Sequence, residues 1–336
     1  MKLPIIQAPM GGGPGTPQLA AAVANAGALG SLAGAYLTPD GIAKEFKETR
    51  ALTTGPLNIN LFAGGYHATT ERDPAPMLAL LAEVHAKLEL PPPTLPNVGP
   101  DPFESQVETV LRLRPEVFSF TFGLPSADTL REVRNAGIFI IGTATTEDEG
   151  AMLAAADVDA IVAQGAEAGA HRGTFLDAFE DAMVPTLELT RQIVQRTNVP
   201  VIASGGIMTG ADIADALRAG AVAVQLGTAF LTCPEAGTSE AYKSALANKS
   251  GDDTTITHAF SGRPARGIRN RFMELVDAEH ILPFPIQNSL TRPMRSAAAK
   301  AMKPEYLSLY AGMGVSRIRT MTAAELIETL MRELAS

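Results

Sequence analysis

Eight short runs of apolar and β-branched residues, each nearly unbroken, recur along the first two-thirds of the chain. They read Ile5–Pro9, Leu29–Leu32, Leu57–Phe62, Val117–Phe122, Ile138–Gly142, Ala160–Gln164, Val201–Ser204 and Val222–Leu226. Strands covered on both faces have this character, because neither face has to meet water. Helical stretches separate most of the runs. Thr16-Pro17 and Thr38-Pro39 each offer an N-cap followed by proline in the first helical turn, and Gly27 closes the first of these helices. Thr209 with Asp212 opens another helix, which Gly220 ends. Strand alternating with helix implies a parallel sheet with right-handed crossovers. Eight repeats predict an α/β fold of the (β/α)8 TIM-barrel type rather than an open, doubly wound sheet.

The spacing is irregular twice. Between the third and fourth runs lie a helix at 74–88, a turn at Pro91-Pro92-Pro93 and a helix at 103–113, which together read as an enlarged loop. After the eighth run the barrel still needs its closing helix. Thr322 to Leu334 supplies one, with Thr322 and Glu325 in capping-box register. Residues 1–235 with 305–336 are therefore expected to form the barrel. Residues 236–304 are expected to be a smaller, mainly helical insertion over its mouth, serving as a substrate or lid domain.

Composition narrows the function class. The chain has 336 residues, 46% hydrophobic and 19% charged, enough for a large core. The formal charge of −9 argues against nucleic acid as a main partner. No apolar run is long enough for a membrane helix, and the amino terminus shows no signal peptide. Cys233 is the only cysteine, which fits a reducing cytoplasm. No His/Cys spacing suggests a metal, and no Gly-x-Ser-x-Gly suggests a hydrolase. Whether the chain acts alone or as a homo-oligomer is open at this level.

A barrel enzyme carries its chemistry at the carboxyl ends of its strands. Those ends hold Met10, Asn60, Phe122 with Gly123, Thr143, Gln164, Gly205 with Gly206, and Gly227 with Thr228. The turns Ser204-Gly205-Gly206-Ile207 and Gln225-Leu226-Gly227-Thr228 follow the seventh and eighth runs. At these two positions glycine lets backbone N–H groups approach a phosphate, and Thr228 adds a hydroxyl. Flavin mononucleotide fits such a site, and so does a phosphorylated substrate. After the sixth run comes Gln164-Gly165-Ala166-Glu167-Ala168-Gly169-Ala170-His171-Arg172-Gly173. Its small residues suggest a mobile loop on which His171 is open and able to exchange a proton near neutrality. The other histidines read differently: His67 lies in a polar loop, His85 on a solvated helix face, and His258 and His280 lack catalytic neighbours.

In this order, Gln7-Ala8-Pro9-Met10, Asn58-Ile59-Asn60-Leu61-Phe62, the His171 loop, Ser204-Gly205-Gly206-Ile207 and Gln225-Leu226-Gly227-Thr228-Ala229-Phe230 resemble the nitronate monooxygenases. Ser261-Gly262-Arg263-Pro264-Ala265-Arg266-Gly267 with Asn270-Arg271-Phe272 extends the resemblance into the insertion and is similar to the class I branch. The resemblance implies non-covalent FMN and oxidation of small anionic nitronates, propionate 3-nitronate among them, by O2. By motif, it implies FMN contacts from Met10, Asn60, Gln164, Gly169, Gly205, Gly206, Gln225, Leu226, Gly227 and Thr228, with His171 catalytic. A neutral imidazole could take the α-proton of a nitroalkane; toward a nitronate, already deprotonated, it would orient or stabilise the anion. Relatives usually show Gly-Gly-His where this chain has Gly169-Ala170-His171. Some carry a histidine where it has Thr121, a difference that bears on substrate choice.

Arg263, Arg266, Arg269 and Arg271 have two readings, anion attraction or, more commonly, fastening of the insertion through carbonyl and ion-pair contacts. Tyr306 and Tyr310 either line the flavin pocket or pack. Two rival functions remain: an FMN-dependent NAD(P)H reductase of the enoyl-acyl-carrier-protein or quinone type, and a flavin-binding protein without turnover.

Overall fold

The computed structural model describes residues 1–247 and 249–336. The eight runs form eight parallel strands: β1 (Ile5–Gln7), β2 (Gly30–Ala33), β3 (Leu57–Phe62), β4 (Val117–Thr121), β5 (Phe139–Ala144), β6 (Ala160–Gln164), β7 (Val201–Ser204) and β8 (Ala223–Leu226). Each strand pairs with its neighbour in sequence, and β8 pairs with β1. A parallel bridge between Ile6 and Leu29 closes the ring. The structure is a TIM barrel.

Around it run α1 (Pro17–Asn25), α2 (Pro39–Leu52), α3 (Ala75–Lys87), α4 (Phe103–Leu113), α5 (Ala127–Asn135), α6 (Glu147–Ala155), α7 (Thr186–Arg196), α8 (Gly210–Arg218) and the closing α12 (Ala323–Ala335). The sequence marks their ends correctly. Thr16 and Thr38 accept from the amides three residues on, Thr209–Asp212 and Thr322–Glu325 form complete capping boxes, and Gly27 and Gly220 turn the chain at positive φ.

Side-chain alternation along the strands sorts the core. Phe118, Phe120, Ile59, Leu61 and Ile161 point outward under the helices, where they join one large apolar cluster. Inside, Ile6, Val117, Ile141, Val162 and Ile202 plug the lower barrel. Above this plug the interior is polar. Asn58 Nδ2 donates to Ser31 Oγ (3.1 Å) and Ser119 Oγ (2.9 Å), and Asn60 Nδ2 donates to the same Ser119 Oγ at 2.9 Å. The apolar plug supplies rigidity; the polar layer forms the floor of the region above it.

The segment 236–304 carries α9 (Glu240–Leu246), α10 (Arg271–Leu275) and α11 (Ile286–Lys300). It also carries an antiparallel pair, β9 (Thr254–Thr257) and β10 (Ala265–Ile268). A second apolar cluster joins Phe260, Phe272, Leu290 and Met294 of the insertion to Met77, Leu81 and Val84 of α3. This packing corrects one expectation. His85 does not face solvent: it is 3% exposed, and its Nδ1 lies 2.7 Å from the Pro91 carbonyl oxygen. The helix that carries it is a packing element of the upper lobe, which its local sequence could not reveal. No described helix is long and apolar enough to cross a membrane.

Candidate active site

A cavity of about 800 Å³ lies between the carboxyl ends of the strands and the upper lobe. Met10, Asn60, Gln164, Gly169, His171, Gly205, Gly206, Gln225, Leu226, Gly227 and Thr228 all border it. Phe122, Thr143 and Thr121 border it as well, the two threonine hydroxyls 3.4 Å apart, whereas Gly123, also expected at a strand end, lies outside the lining.

The loop after β6 is pinned, contrary to its small-residue appearance. Ala170 and His171 pair antiparallel with Arg266 and Ala265 of β10, so the upper lobe extends its sheet through the histidine's own backbone. Arg172 is 1% exposed and donates to the carbonyl oxygens of Gly165 (2.6 Å), Gln164 (3.0 Å) and Ala182 (3.1 Å). Burial holds its guanidinium down at a pKa of about 10, so it stays charged at neutral pH. Gln164 Nε2 donates to the His171 carbonyl oxygen (3.0 Å) while its Oε1 accepts from Gly173 N (2.7 Å). The amide expected to face a cofactor thus also shapes the loop, while the residue still borders the cavity. Further along, the buried Glu149 carboxylate accepts from the amides of Thr145, Phe175 and Leu176. Gly169 has a packing role: a Cβ there would meet the backbone of Ala311 and Gly312 at 2.5–2.6 Å.

The imidazole of His171 faces the cavity with Tyr310, Phe122 and Phe62 around it, at centroid distances of 5.4, 5.9 and 6.4 Å. Loss of solvent, reinforced by Arg263 and Arg295, lowers its pKa to about 3. The ring is therefore neutral at physiological pH, where the sequence alone suggested titration near neutrality. Its Nε2 lies 2.8 Å from Ser261 Oγ, and that hydroxyl is 3.3 Å from the Arg263 carbonyl oxygen. The direction of the Ser261 proton thus decides which ring nitrogen is protonated.

The two glycine turns both border the cavity. Gly205 and Gly206 take φ of +131° and +69°. The backbone N–H groups of Gly205, Gly206, Gly227 and Thr228 find no backbone acceptor among the described residues. At Gly227 a Cβ would meet only Ala8 Cβ, at 3.5 Å, so internal packing does not demand glycine there. Thr228 Oγ1 accepts from Gly312 N at 2.9 Å, which leaves its own proton to donate.

The arginine-rich stretch serves mainly as fastening. Arg263 lies over Phe122 (3.7 Å) and Phe284 (4.2 Å) and donates to the Gly64 carbonyl oxygen. Arg266 donates to the Ala166 carbonyl oxygen and Thr254 Oγ1, both at 3.0 Å, and Arg271 pairs with Glu274 at 3.1 Å. Tyr306 packs in the upper-lobe cluster, whereas Tyr310 borders the cavity. Sequence reasoning missed Tyr36, Arg292 and Arg295, which also border it, and gave Ser261 no role. For the arginines a signal existed. Asn288, Arg292, Arg295 and Ala299 recur at helical spacing opposite Ile286, Leu290, Met294 and Ala298, but such a polar face reads as solvent-facing.

A family model described as nitronate monooxygenase matches residues 1–333. The nitronate monooxygenase of Paraburkholderia phytofirmans is 44% identical over 343 residues, covering 98% of this chain and 92% of that protein. The nitronate monooxygenase of Pseudomonas aeruginosa is 40% identical, covering 98% and 96%. Nitroalkane oxidase from Streptomyces ansochromogenes superposes with a TM-score of 0.92 at 42% identity, over 99% of this chain and 96% of that one.

Proposed function

This chain belongs to the nitronate monooxygenase family, and on that premise we propose that it oxidises small alkyl nitronates with O2, using non-covalently bound FMN. The products are a carbonyl compound and nitrite or nitrate. The observation that carries the reading is a neutral His171 on the wall of a cavity whose opposite strand ends present unpaired backbone N–H groups.

The residues fit FMN on three grounds. The turns at Gly205-Gly206 and Gly227-Thr228 offer four unpaired amides and a hydroxyl for a phosphate. The cavity volume is in the range of small-molecule and cofactor sites. Met10, Asn60, Gly169, Gln225 and Leu226 surround the space between those turns and His171. When bound, FMN supplies the electron acceptor for nitronate oxidation.

The chain's own residues bind and orient. A nitronate already carries its negative charge, so it needs a hydrogen-bond donor rather than a base. With the Ser261 hydroxyl turned toward Nε2, the imidazole keeps its proton on Nδ1 and is a donor. Phe62, Phe122 and Tyr310 exclude water around it, which strengthens its hydrogen bonds. Toward a neutral nitroalkane the same ring is a poor base, because its conjugate acid is disfavoured. We therefore assign the nitronate, rather than the nitroalkane, as the form that is bound and oxidised. The protein is assigned to the cytoplasm, consistent with its single, buried cysteine.

Oxygen uptake by the purified holoprotein with propionate 3-nitronate and no NADPH tests the reading. Rapid uptake, with FMN in the absorbance spectrum, is the expected result. No uptake, together with anaerobic bleaching of the flavin by NADPH, would move the protein to the reductases.

A further inference from the structure

The turn Ser204-Gly205-Gly206-Ile207 borders the cavity, and the amides of Gly205, Gly206 and Ile207 find no backbone acceptor among the described residues. Such a run of free amides is an anion-binding feature. What holds it in shape lies outside the cavity. In a planar trans peptide the N–H points opposite to the C=O, so anchoring a carbonyl on one side fixes the next residue's amide on the other. The Ser204 carbonyl oxygen accepts from Gly165 N at 2.9 Å, which sets the Gly205 amide. The middle carbonyl is held loosely: the Thr186 hydroxyl has one proton for two acceptors, Glu167 Oε2 at 2.6 Å and the Gly205 carbonyl oxygen at 3.1 Å. The Gly206 carbonyl oxygen accepts from Arg317 Nη2 at 2.8 Å, and this charge-assisted bond sets the Ile207 amide.

Arg317 reaches the turn from a strap, residues 312–317, that precedes the closing helix α12. The strap is seated on the neighbouring loops as well: Met313 N donates to the Glu167 carbonyl oxygen (3.0 Å) and Gly312 N to Thr228 Oγ1 (2.9 Å). At Gly314 a Cβ would meet Met208 Cγ at 2.5 Å and the Gly206 carbonyl oxygen at 2.9 Å, so strap and turn lie flush. The other arm of the guanidinium, Nη1, donates to both carboxylate oxygens of Asp212 at 2.7 Å. That pairing matters to an anion in the turn. Asp212 Oδ2 accepts from the amides of Met208 (2.8 Å) and Thr209 (2.9 Å), and Glu333 Oε2 accepts from Gly210 N (2.8 Å). The positive start of α8 is thus spent on the chain's own carboxylates. An anion held by the Ile207 amide would feel the carboxylate bonded to the very next amide, unless Arg317 offsets its charge.

We infer that Arg317 is a positioning residue for phosphate recognition: it does not line the cavity, yet it fixes the Gly206–Ile207 peptide and neutralises Asp212, so that the turn accepts a phosphate. This rests on the flavin reading above, under which the phosphate is that of FMN. A planar guanidinium suits the task, because its two arms reach a carbonyl and a carboxylate at once.

Fluorescence titration of the flavin-free full chain with FMN, and with riboflavin, which lacks the phosphate, tests the assignment. Arg317→Ala is expected to raise the FMN dissociation constant at least about tenfold and to leave riboflavin binding unchanged. Arg317→Lys keeps the charge but loses the fork that spans Gly206 and Asp212, and is expected to fall between native and Arg317→Ala. The Arg317 side chain is 45% exposed, so neither variant opens the core. An equal loss for both flavins overturns the assignment, because the residue would then serve the fold or the ring system. Unchanged FMN affinity in Arg317→Ala overturns it too. Calorimetric titration with inorganic phosphate separates this inference from the reading beneath it. If native protein binds phosphate and Arg317→Ala weakens that binding, while neither binds FMN, the flavin reading fails and the role of Arg317 stands.

Discussion

Desolvation by three aromatic rings, with Arg263 and Arg295 adding to it, separates the folded and unfolded proton affinities of His171. An unfolded imidazole takes up its proton near 6.5, the folded one only near 3. Between those values the unfolded chain binds the additional proton, so stability from this residue falls as pH drops from about 6.5 toward 3 and is unaffected above. The melting temperature of His171→Gln relative to native protein is therefore expected to improve between pH 7.5 and pH 5, read by calorimetry. For the same reason, kcat/KM for a preformed nitronate should show no step near pH 6.5; a step there would mean the ring titrates freely. The neighbouring Ala170 sits at φ +63°, in the left-handed region, where a Cβ costs about 1–2 kcal/mol. Ala170→Gly is expected to raise the unfolding free energy by up to about 1 kcal/mol, net of its entropic cost, as measured in urea.

At the scale of the element, helix starts were the most legible feature of the sequence. Thr16, Thr38, Thr209 and Thr322 all cap as their spacing indicates, because a cap is a local contract between a hydroxyl and an amide three residues on. The last of these has the clearest consequence, since α12 closes the barrel against α1 and α8. Thr322→Ala is expected to lower stability by about 1 kcal/mol, seen as a shift of the urea midpoint without change of slope. Elements made by distant partners were not legible. The two-residue strand at Ala170–His171 exists only because β10 lies beside it, and nothing in its own sequence favours extended pairing. The polar face of α11 has a helical period in plain view, yet period gives a face without saying whether water or a cavity lies opposite.

At the scale of the whole molecule, the barrel and the upper lobe meet around one cavity and share the His171 segment. A ligand bound there stabilises both at once. Adding FMN to deflavinated protein is expected to raise the melting temperature in a concentration-dependent way, by the logarithm of ligand excess over its dissociation constant. A melting temperature indifferent to FMN would remove the flavin from the proposal. The sequence by itself determined the barrel, its eight strands, its caps and the residues that gather at the strand ends, because strand burial, helix capping and glycine turns depend on neighbours within a few positions. Motifs carried His171 and the glycine turns for the same reason: strand order converts position along the chain into position around a ring. Only the tertiary structure decided that the His171 loop is pinned rather than mobile, that its imidazole is neutral, that His85 is buried, and that Arg292 and Arg295 face the cavity. Each of these depends on what lies across space from a residue, and desolvation and charge proximity are set by partners as many as a hundred or more positions away in the chain.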